Sequence, residues 1–263
     1  MLTPIISEVK DRLQTANWVS LFLDFDGTLV PIASHPMEPQ LDPDTAQTLK
    51  LISNQGNLAL TIISGRAVED LYCRVRLEGL IYAGNHGLEI FGRGLRFVEP
   101  LASSRREELA ALCRDLAAKL RPVAGAIVEH KGLTASVHFR LAASADVPEI
   151  QAAVYEAVSR YGALFRVNPG RKVLEIVPRT DWHKGAAVRW INSHLGEKPD
   201  LSIYVGDDTT DEDAFCTLPE AITIKVGVSG SVTSARHYLP DPSAVHEFLL
   251  WLAFQERSRL RRV

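Results

Sequence analysis

The chain has 263 residues, room for one large domain or two modest ones, and enough to bury about 70–75% of the surface its unfolded form exposes. Hydrophobic residues at 46% and charged residues at 23% exclude a disordered chain. With 29 basic against 32 acidic side chains, the net charge of −3 is too small to gather nucleic acid or an anionic membrane, so neither is expected as a partner.

In chain order, short apolar runs end in turn-forming or acidic residues. Residues 19–23 precede DFDGT, 58–63 precede SGR, 80–83 precede GNHG and 201–205 precede GDDTTDED. Each run is short and partly β-branched or aromatic, which predicts buried parallel strands. Helices are expected between them over 44–53, 68–75 and 184–194, so the alternation reads as a doubly wound parallel sheet, α/β in class. In such sheets ligands bind beyond the carboxyl ends of the strands, where the polar clusters fall.

The middle of the chain has another rhythm. Leu109, Leu112, Cys113, Leu116 and Leu120 keep helical spacing within 105–120, and 147–161 offers a second helix. Strands are expected at 126–129, 134–140, 164–167 and 173–177, giving a small α+β layer. The predicted organisation is a core of 1–103 and 180–263 with an inserted domain of 104–179, hinged at 99–104 and 178–181 and able to open and close. Cys73, Cys113 and Cys216 lie far apart, which favours neither a disulfide framework nor a thiolate zinc site and fits a reducing compartment. MLTPIISEVKDRL carries acidic residues and no signal-peptide core, and no run of about 18 apolar residues occurs, so a cytoplasmic protein is expected.

Four constellations carry chemistry. Asp24 and Asp26 stand two residues apart at a strand end, with Gly27 allowing a tight turn before Thr28. Carboxylates so close repel when both ionise, so they call for a divalent cation or a shared proton unless they merely form an acidic turn. Ser64, before Gly65 and Arg66, is either an ordinary helix N-cap or, with the following amides, an anion holder. Lys184 opens a predicted helix, where a cation is misplaced unless it is a solvated surface residue or faces a bound phosphate. Gly206 to Asp213 holds five acidic side chains in eight residues; Asp211, Glu212 and Asp213 partly suit a helix start, whereas Asp207 and Asp208 lie where hard oxygen ligands complete a magnesium site.

In this order the motifs resemble those of the haloacid dehalogenase (HAD) superfamily. Over nearly the whole chain, LFLDFDGTLVPI, SGR, YAGNHGLEI, KGLTASVHFR, RKVLEIVP, KG and YVGDDTTDEDAF resemble one branch, the trehalose-6-phosphate phosphatases. The resemblance implies a HAD-like core with an α+β cap of the C2 type, and magnesium-dependent hydrolysis of trehalose 6-phosphate, the final step of trehalose biosynthesis. It implies Asp24 as nucleophile, Asp26 as an acid that begins protonated and later activates water, and Ser64 and Lys184 on the transferring oxygens. Magnesium (Mg2+) would lie among Asp24, the Asp26 carbonyl oxygen and Asp207, with Asp208 and Asp211 supporting that shell. Gly27, Thr28, Arg66, Asn85 and His86 are substrate-binding candidates from the core; Arg66 would touch either phosphate or sugar, and His86 is otherwise a structural histidine.

Within 134–140 alternation puts Ala135, Val137 and Phe139 on one face and Ser136, His138 and Arg140 on the other, while Glu175 interrupts the apolar run 173–177. Lys131, His138, Arg140, Lys172 and Glu175 resemble the family's sugar-contacting cap positions; the alternative is a half-exposed sheet with solvated polar residues. Two rival readings stay open: another sugar-phosphate phosphatase with this cap, acting on sucrose phosphate or a glycosylglycerate phosphate, or a catalytically silent sensor. Any trehalose-6-phosphate synthase working with this chain would be a separate protein.

Overall fold

The computed structural model describes residues 2–33, 39–170, 172–228, 230 and 232–260. In chain order these form α1 (Leu2–Leu13), β1 (Val19–Asp24), α2 (Pro43–Ser53), β2 (Leu58–Ile63), α3 (Val68–Val75), β3 (Ile81–Gly84), β4 (Glu89–Gly92) and β5 (Leu95–Val98). Then come α4 (Pro100–Ser104), α5 (Arg106–Leu120), β6 (Ile127–His130), β7 (Ala135–His138), α6 (Val147–Ser159), β8 (Phe165–Gly170) and β9 (Val173–Pro178). The chain closes with α7 (Lys184–His194), β10 (Leu201–Gly206), α8 (Thr209–Thr217), β11 (Ile222–Val226), β12 (His237–Leu239) and α9 (Pro242–Leu260). Among the described residues no helix is long and apolar enough to cross a membrane.

Two compact units result. One takes the described residues up to Phe97 and from Trp182 onward; the other takes Val98–Asp181, against the sequence expectation of 104–179. The earlier start reflects local chemistry: the expected hinge at 99–104 is helical, because Glu99 caps α4 by accepting from the Ala102 amide at 2.6 Å.

In the larger unit one sheet runs β12-β11-β10-β1-β2-β3-β4-β5, parallel from β12 to β3 and antiparallel at β3–β4. All of β1 is buried, with Leu21 and Leu23 in one apolar cluster beside Ile5, Leu49 and Phe248, and Phe22 in another beside Val188, Ile191 and Phe215. Helices on both faces explain why these strands read as mainly apolar runs rather than alternating ones. Because β1 sends one crossover to β2 on one side and pairs with β10 on the other, the loops after β1, β2, β3 and β10 leave the same edge of the sheet. The β4–β5 hairpin was not expected from sequence; its turn holds Arg93 and Gly94 at φ of 49° and 79°, the paired left-handed residues a tight hairpin needs.

The smaller unit has a four-stranded antiparallel sheet, β6-β7-β9-β8, backed by α5 and α6. Its own core holds Leu109, Leu112, Leu116, Val137, Ile150, Val154 and Ile176. Register carries one row straight across the face turned away from α5 and α6: Glu129, Ser136, Glu175 and Asn168. The expected strand 134–140 pairs regularly only over Ala135–His138; Phe139 is still buried and donates to the Lys172 carbonyl at 3.1 Å.

Candidate active site

β1 delivers Asp24 to the carboxyl edge of the sheet, where it is 4% exposed. The chain must then turn at once: Gly27 adopts φ +87°, and a Cβ there would lie 2.1 Å from Asp207 Oδ2. Glycine is required by backbone sign and by space, so the DxDGT spacing and the Asp207 position are one packing decision. Thr28 Oγ1 lies 3.5 Å from Asp207 Oδ1, a marginal hydrogen bond.

Lys184 begins α7 and is 2% exposed; its Nζ donates to Asp24 Oδ1 and Asp211 Oδ1, each at 2.7 Å. The misplaced cation is thus paired with carboxylates. Burial opposes the ammonium, but Asp211 and Asp24 outweigh it and raise its pKa well above the ordinary lysine value. Asp24 is pushed well up by burial and by Asp211 and Asp207, with Lys184 opposing. Burial first, then Asp211 and Asp208, push Asp207 to about 7 against the pull of Lys184.

Asp211 and Asp208 divide the rest of the acidic cluster. Asp211 Oδ1 also accepts from Tyr204 Oη at 2.6 Å and its Oδ2 from the Asp208 amide at 3.0 Å, so both oxygens of this fully buried side chain are engaged by the protein. Asp208 is exposed, and its Oδ1 caps α8 through the Thr209 amide at 2.7 Å. Carboxylate oxygens of Asp24, Asp207 and Asp211 lie within 4.8 Å of one another. Three acids around one ammonium leave surplus negative charge in a buried place, and hard oxygens are the donors magnesium takes; the residues fit that ion. Asp24 and Asp207 would hold it, while Asp211 steadies Lys184.

Asp26 meets Arg66 in a two-pronged ion pair, Nε to Oδ2 at 2.6 Å and Nη2 to Oδ1 at 2.7 Å. Both oxygens therefore accept N–H groups, the arrangement of a proton acceptor, whereas the sequence reading expects Asp26 to begin as an acid. Arg66 Nη1 donates in turn to Asp70 Oδ2 at 3.0 Å, which also takes Arg74 Nε at 2.8 Å.

Ser64 is not the N-cap of α3. That position is Ala67, without a side-chain bond, and the Val68 amide is satisfied by Glu89 Oε1 at 2.8 Å. Ser64 is 2% exposed, and its hydroxyl accepts from the Arg66 amide at 3.2 Å. Asn85, His86 and Gly87 follow β3 with φ of 49°, 59° and 87°. Such strain persists only when surroundings fix it. Here the Asn85 amide donates to the Arg66 carbonyl at 2.6 Å, the His86 amide to that of Ser64 at 2.9 Å, Asn85 Nδ2 to Glu89 Oε1 at 2.7 Å, and Trp182 Nε1 to the Gly87 carbonyl at 2.7 Å. Glu89, buried, thereby ties the start of α3 to the 85–87 turn, while the Asn85 and His86 amides tie that turn to the 64–66 loop.

In the smaller unit Lys131 Nζ donates to Glu175 Oε1 at 3.2 Å, and His138 Nε2 lies 2.8 Å from Glu129 Oε2. Arg140 is partly buried past Phe139, while Lys172 sits exposed in the β8–β9 turn at φ +65°. The structure therefore gathers Lys131, Glu175 and His138 on one sheet face and leaves Lys172 at its edge. Sequence reasoning missed Glu129, Asp70, Arg74, Glu89 and Tyr204. Only Asp70 had a local signal, its place four residues before Arg74 on one helix face.

The model of the family described as trehalose-phosphatase matches residues 22–242. The chain belongs to that family. A trehalose-phosphate phosphatase of Mycobacterium tuberculosis (strain H37Rv) is 36% identical over 96% of this chain and 68% of its own. A protein of the same strain described as an uncharacterized glycosyl hydrolase is 38% identical over 95% of this chain, which spans only 19% of that protein's length. Among solved structures, the C-terminal domain of the Candida albicans trehalose-6-phosphate phosphatase aligns with a TM-score of 0.79 at 22% identity, over 94% of this trehalose-phosphatase family member and 96% of that domain, a likeness of fold.

Proposed function

We propose that this trehalose-phosphatase family member hydrolyses trehalose 6-phosphate to trehalose and phosphate through an aspartyl-phosphate on Asp24. The observation that carries the reading is Asp24 buried beside Lys184, with Asp207 alongside, in a chain of that family. Asp24 attacks phosphorus, the bond from phosphorus to the sugar oxygen breaks, and that oxygen keeps the electron pair and takes a proton from Asp26. In the second displacement Asp26 removes a proton from water as the water attacks phosphorus, and the bond to Asp24 breaks to restore its carboxylate. The Asp26–Arg66 pairing suits this second half; in the first half the oxygen that carries the proton gives up one prong while the other prong keeps the carboxyl group aligned.

Lys184 and Ser64 bind the transferring oxygens. Asp24, the Asp26 carbonyl and Asp207 would hold magnesium, which when bound would supply positive charge against the repulsion between nucleophile and phosphate. In the smaller unit Lys131, His138, Arg140, Lys172 and Glu175 read sugar hydroxyls; in the larger unit Asn85, His86 and Arg66 are substrate-binding residues. Free Cys73, Cys113 and Cys216 support a reducing, cytoplasmic setting, and a glycosyl-transferring reaction supplies the substrate.

The test is phosphate release with magnesium from trehalose 6-phosphate, sucrose 6-phosphate and glucose 6-phosphate. The highest kcat/KM is expected on trehalose 6-phosphate; a preference for either other ester overturns the substrate, and no release from any overturns the activity. Glu175→Ala should lower kcat/KM on trehalose 6-phosphate by about a hundredfold while a small aryl phosphate changes little, since a polar site left unpaired discriminates strongly. Equal loss on both would remove Glu175 from sugar recognition.

A further inference from the structure

We infer that Asp70 is a positioning residue for proton transfer by Asp26, acting through Arg66. The inference rests on the reading of Asp26 as proton donor to the leaving oxygen. The guanidinium offers N–H groups on two edges of its plane: Nε and Nη2 span the two oxygens of Asp26 at 2.6 and 2.7 Å, and Nη1 meets Asp70 Oδ2 at 3.0 Å. A planar fork held at both ends is fixed in rotation about its own stem. Asp70 is fixed in turn, since Arg74, four residues on, brings Nε to the same Oδ2 at 2.8 Å and donates through Nη1 to the Pro39 carbonyl at 2.5 Å. The Arg66 guanidinium also lies over the Phe25 ring, 5.7 Å from its centre, so it is braced from the side as well.

Helix α3 therefore sets where the Asp26 carboxyl group points, although Asp70 touches no reacting atom. Asp70 is 32% exposed on its side chain, and the Ala67 N-cap of α3 makes no side-chain bond, so Asp70 is not that helix's cap. Its other use is a favourable charge in the first helical turn, which it shares with Glu69. That shared role gives the control. Glu69→Gln removes an equal helix-end charge without touching Arg66.

The readout is kcat/KM over a series of aryl phosphates from phenyl to 4-nitrophenyl, together with trehalose 6-phosphate, using the full chain with magnesium. This constant covers steps up to departure of the leaving group, so later attack by water does not enter it. Misplacing the donor penalises poor leaving groups and spares good ones. Asp70→Asn should lower kcat/KM about tenfold on trehalose 6-phosphate, within about twofold on 4-nitrophenyl phosphate, and steepen the slope between. Asp70→Glu should recover most of the loss, and Glu69→Gln should leave the slope at the wild-type value. An Asp70→Asn chain that does not fold is replaced by Asp70→Ser, with the same expectation.

A uniform fall across the series, an unchanged slope, or the same slope change in Glu69→Gln overturns the inference. If Asp26→Asn itself leaves the slope unchanged, Asp26 is not the donor and the role of Asp70 falls with it, whatever sugar phosphate is preferred. If the wild type prefers another sugar phosphate, the substrate reading fails while the aryl series still decides the role of Asp70.

Discussion

Lys184 is the only cation bonded to the two buried acids Asp24 and Asp211 among the described contacts, so the three residues respond differently to neutralisation. Asp24→Asn keeps the side-chain shape and removes a carboxylate that burial and two like charges disfavour. It should therefore abolish turnover while the thermal midpoint stays at or above the wild-type value, once deamidation back to Asp is excluded by mass. Turnover within a few-fold of wild type would defeat the aspartyl-phosphate. Lys184→Met leaves two buried carboxylates facing one another without their ammonium. Breaking a buried ion pair from one side costs about 3–5 kcal/mol, so urea unfolding should show a loss of that order. A loss under about 1 kcal/mol would mean that the acids simply take up protons.

The turn after β1 shows how an element decides chemistry. Gly27→Ala puts a side chain into a left-handed residue, at about 1–2 kcal/mol, and drives its Cβ into the Asp207 carboxylate. Magnesium affinity measured by calorimetry should fall at least tenfold, more than the small loss of stability alone would suggest; unchanged affinity would show that Asp207 is not held against this turn. Such couplings explain what the sequence made legible. β1, β2 and β10 were readable because both faces are buried and each run carries only one small hydroxyl residue, Ser20, Thr61 or Ser202. β5 was not, since its residues alternate between half-buried and exposed, and β11 carries Lys225 in a short run. Asp24, Asp26, Lys184 and Asp207 were readable because each stands at the end of an apolar strand or the start of a helix. Glu89 and the Asp26–Arg66 contact act across loops 21 and 40 residues apart, a separation that no local spacing encodes.

At the scale of the whole molecule, the two units have separate apolar cores, so heating need not melt them together. All four tryptophans, Trp18, Trp182, Trp190 and Trp251, belong to the larger unit, which makes tryptophan fluorescence a monitor of that unit alone. Its response to pH follows from the acid cluster. Asp207 is raised to about 7 by burial and by Asp211 and Asp208, and Asp24 is raised well above its usual value. A carboxyl raised in the folded state contributes stability that is complete below its unfolded pKa, near 3.8, and is lost as pH climbs through the folded value. The metal-free larger unit should thus lose fluorescence midpoint between about pH 4 and pH 7, and Asp207→Asn should flatten that fall. Magnesium requires the same carboxylates without their protons, so its stabilisation must grow in the opposite direction, approaching about 2.7 kcal/mol when the ion is at a hundred times its Kd. The expected result is a larger magnesium-induced rise in the fluorescence midpoint at about pH 8 than at about pH 6. The melting of the smaller unit, followed by the helical signal that remains after the tryptophans have unfolded, should not move. A magnesium shift equal at both pH values, or larger in acid, would place the ion away from Asp24 and Asp207.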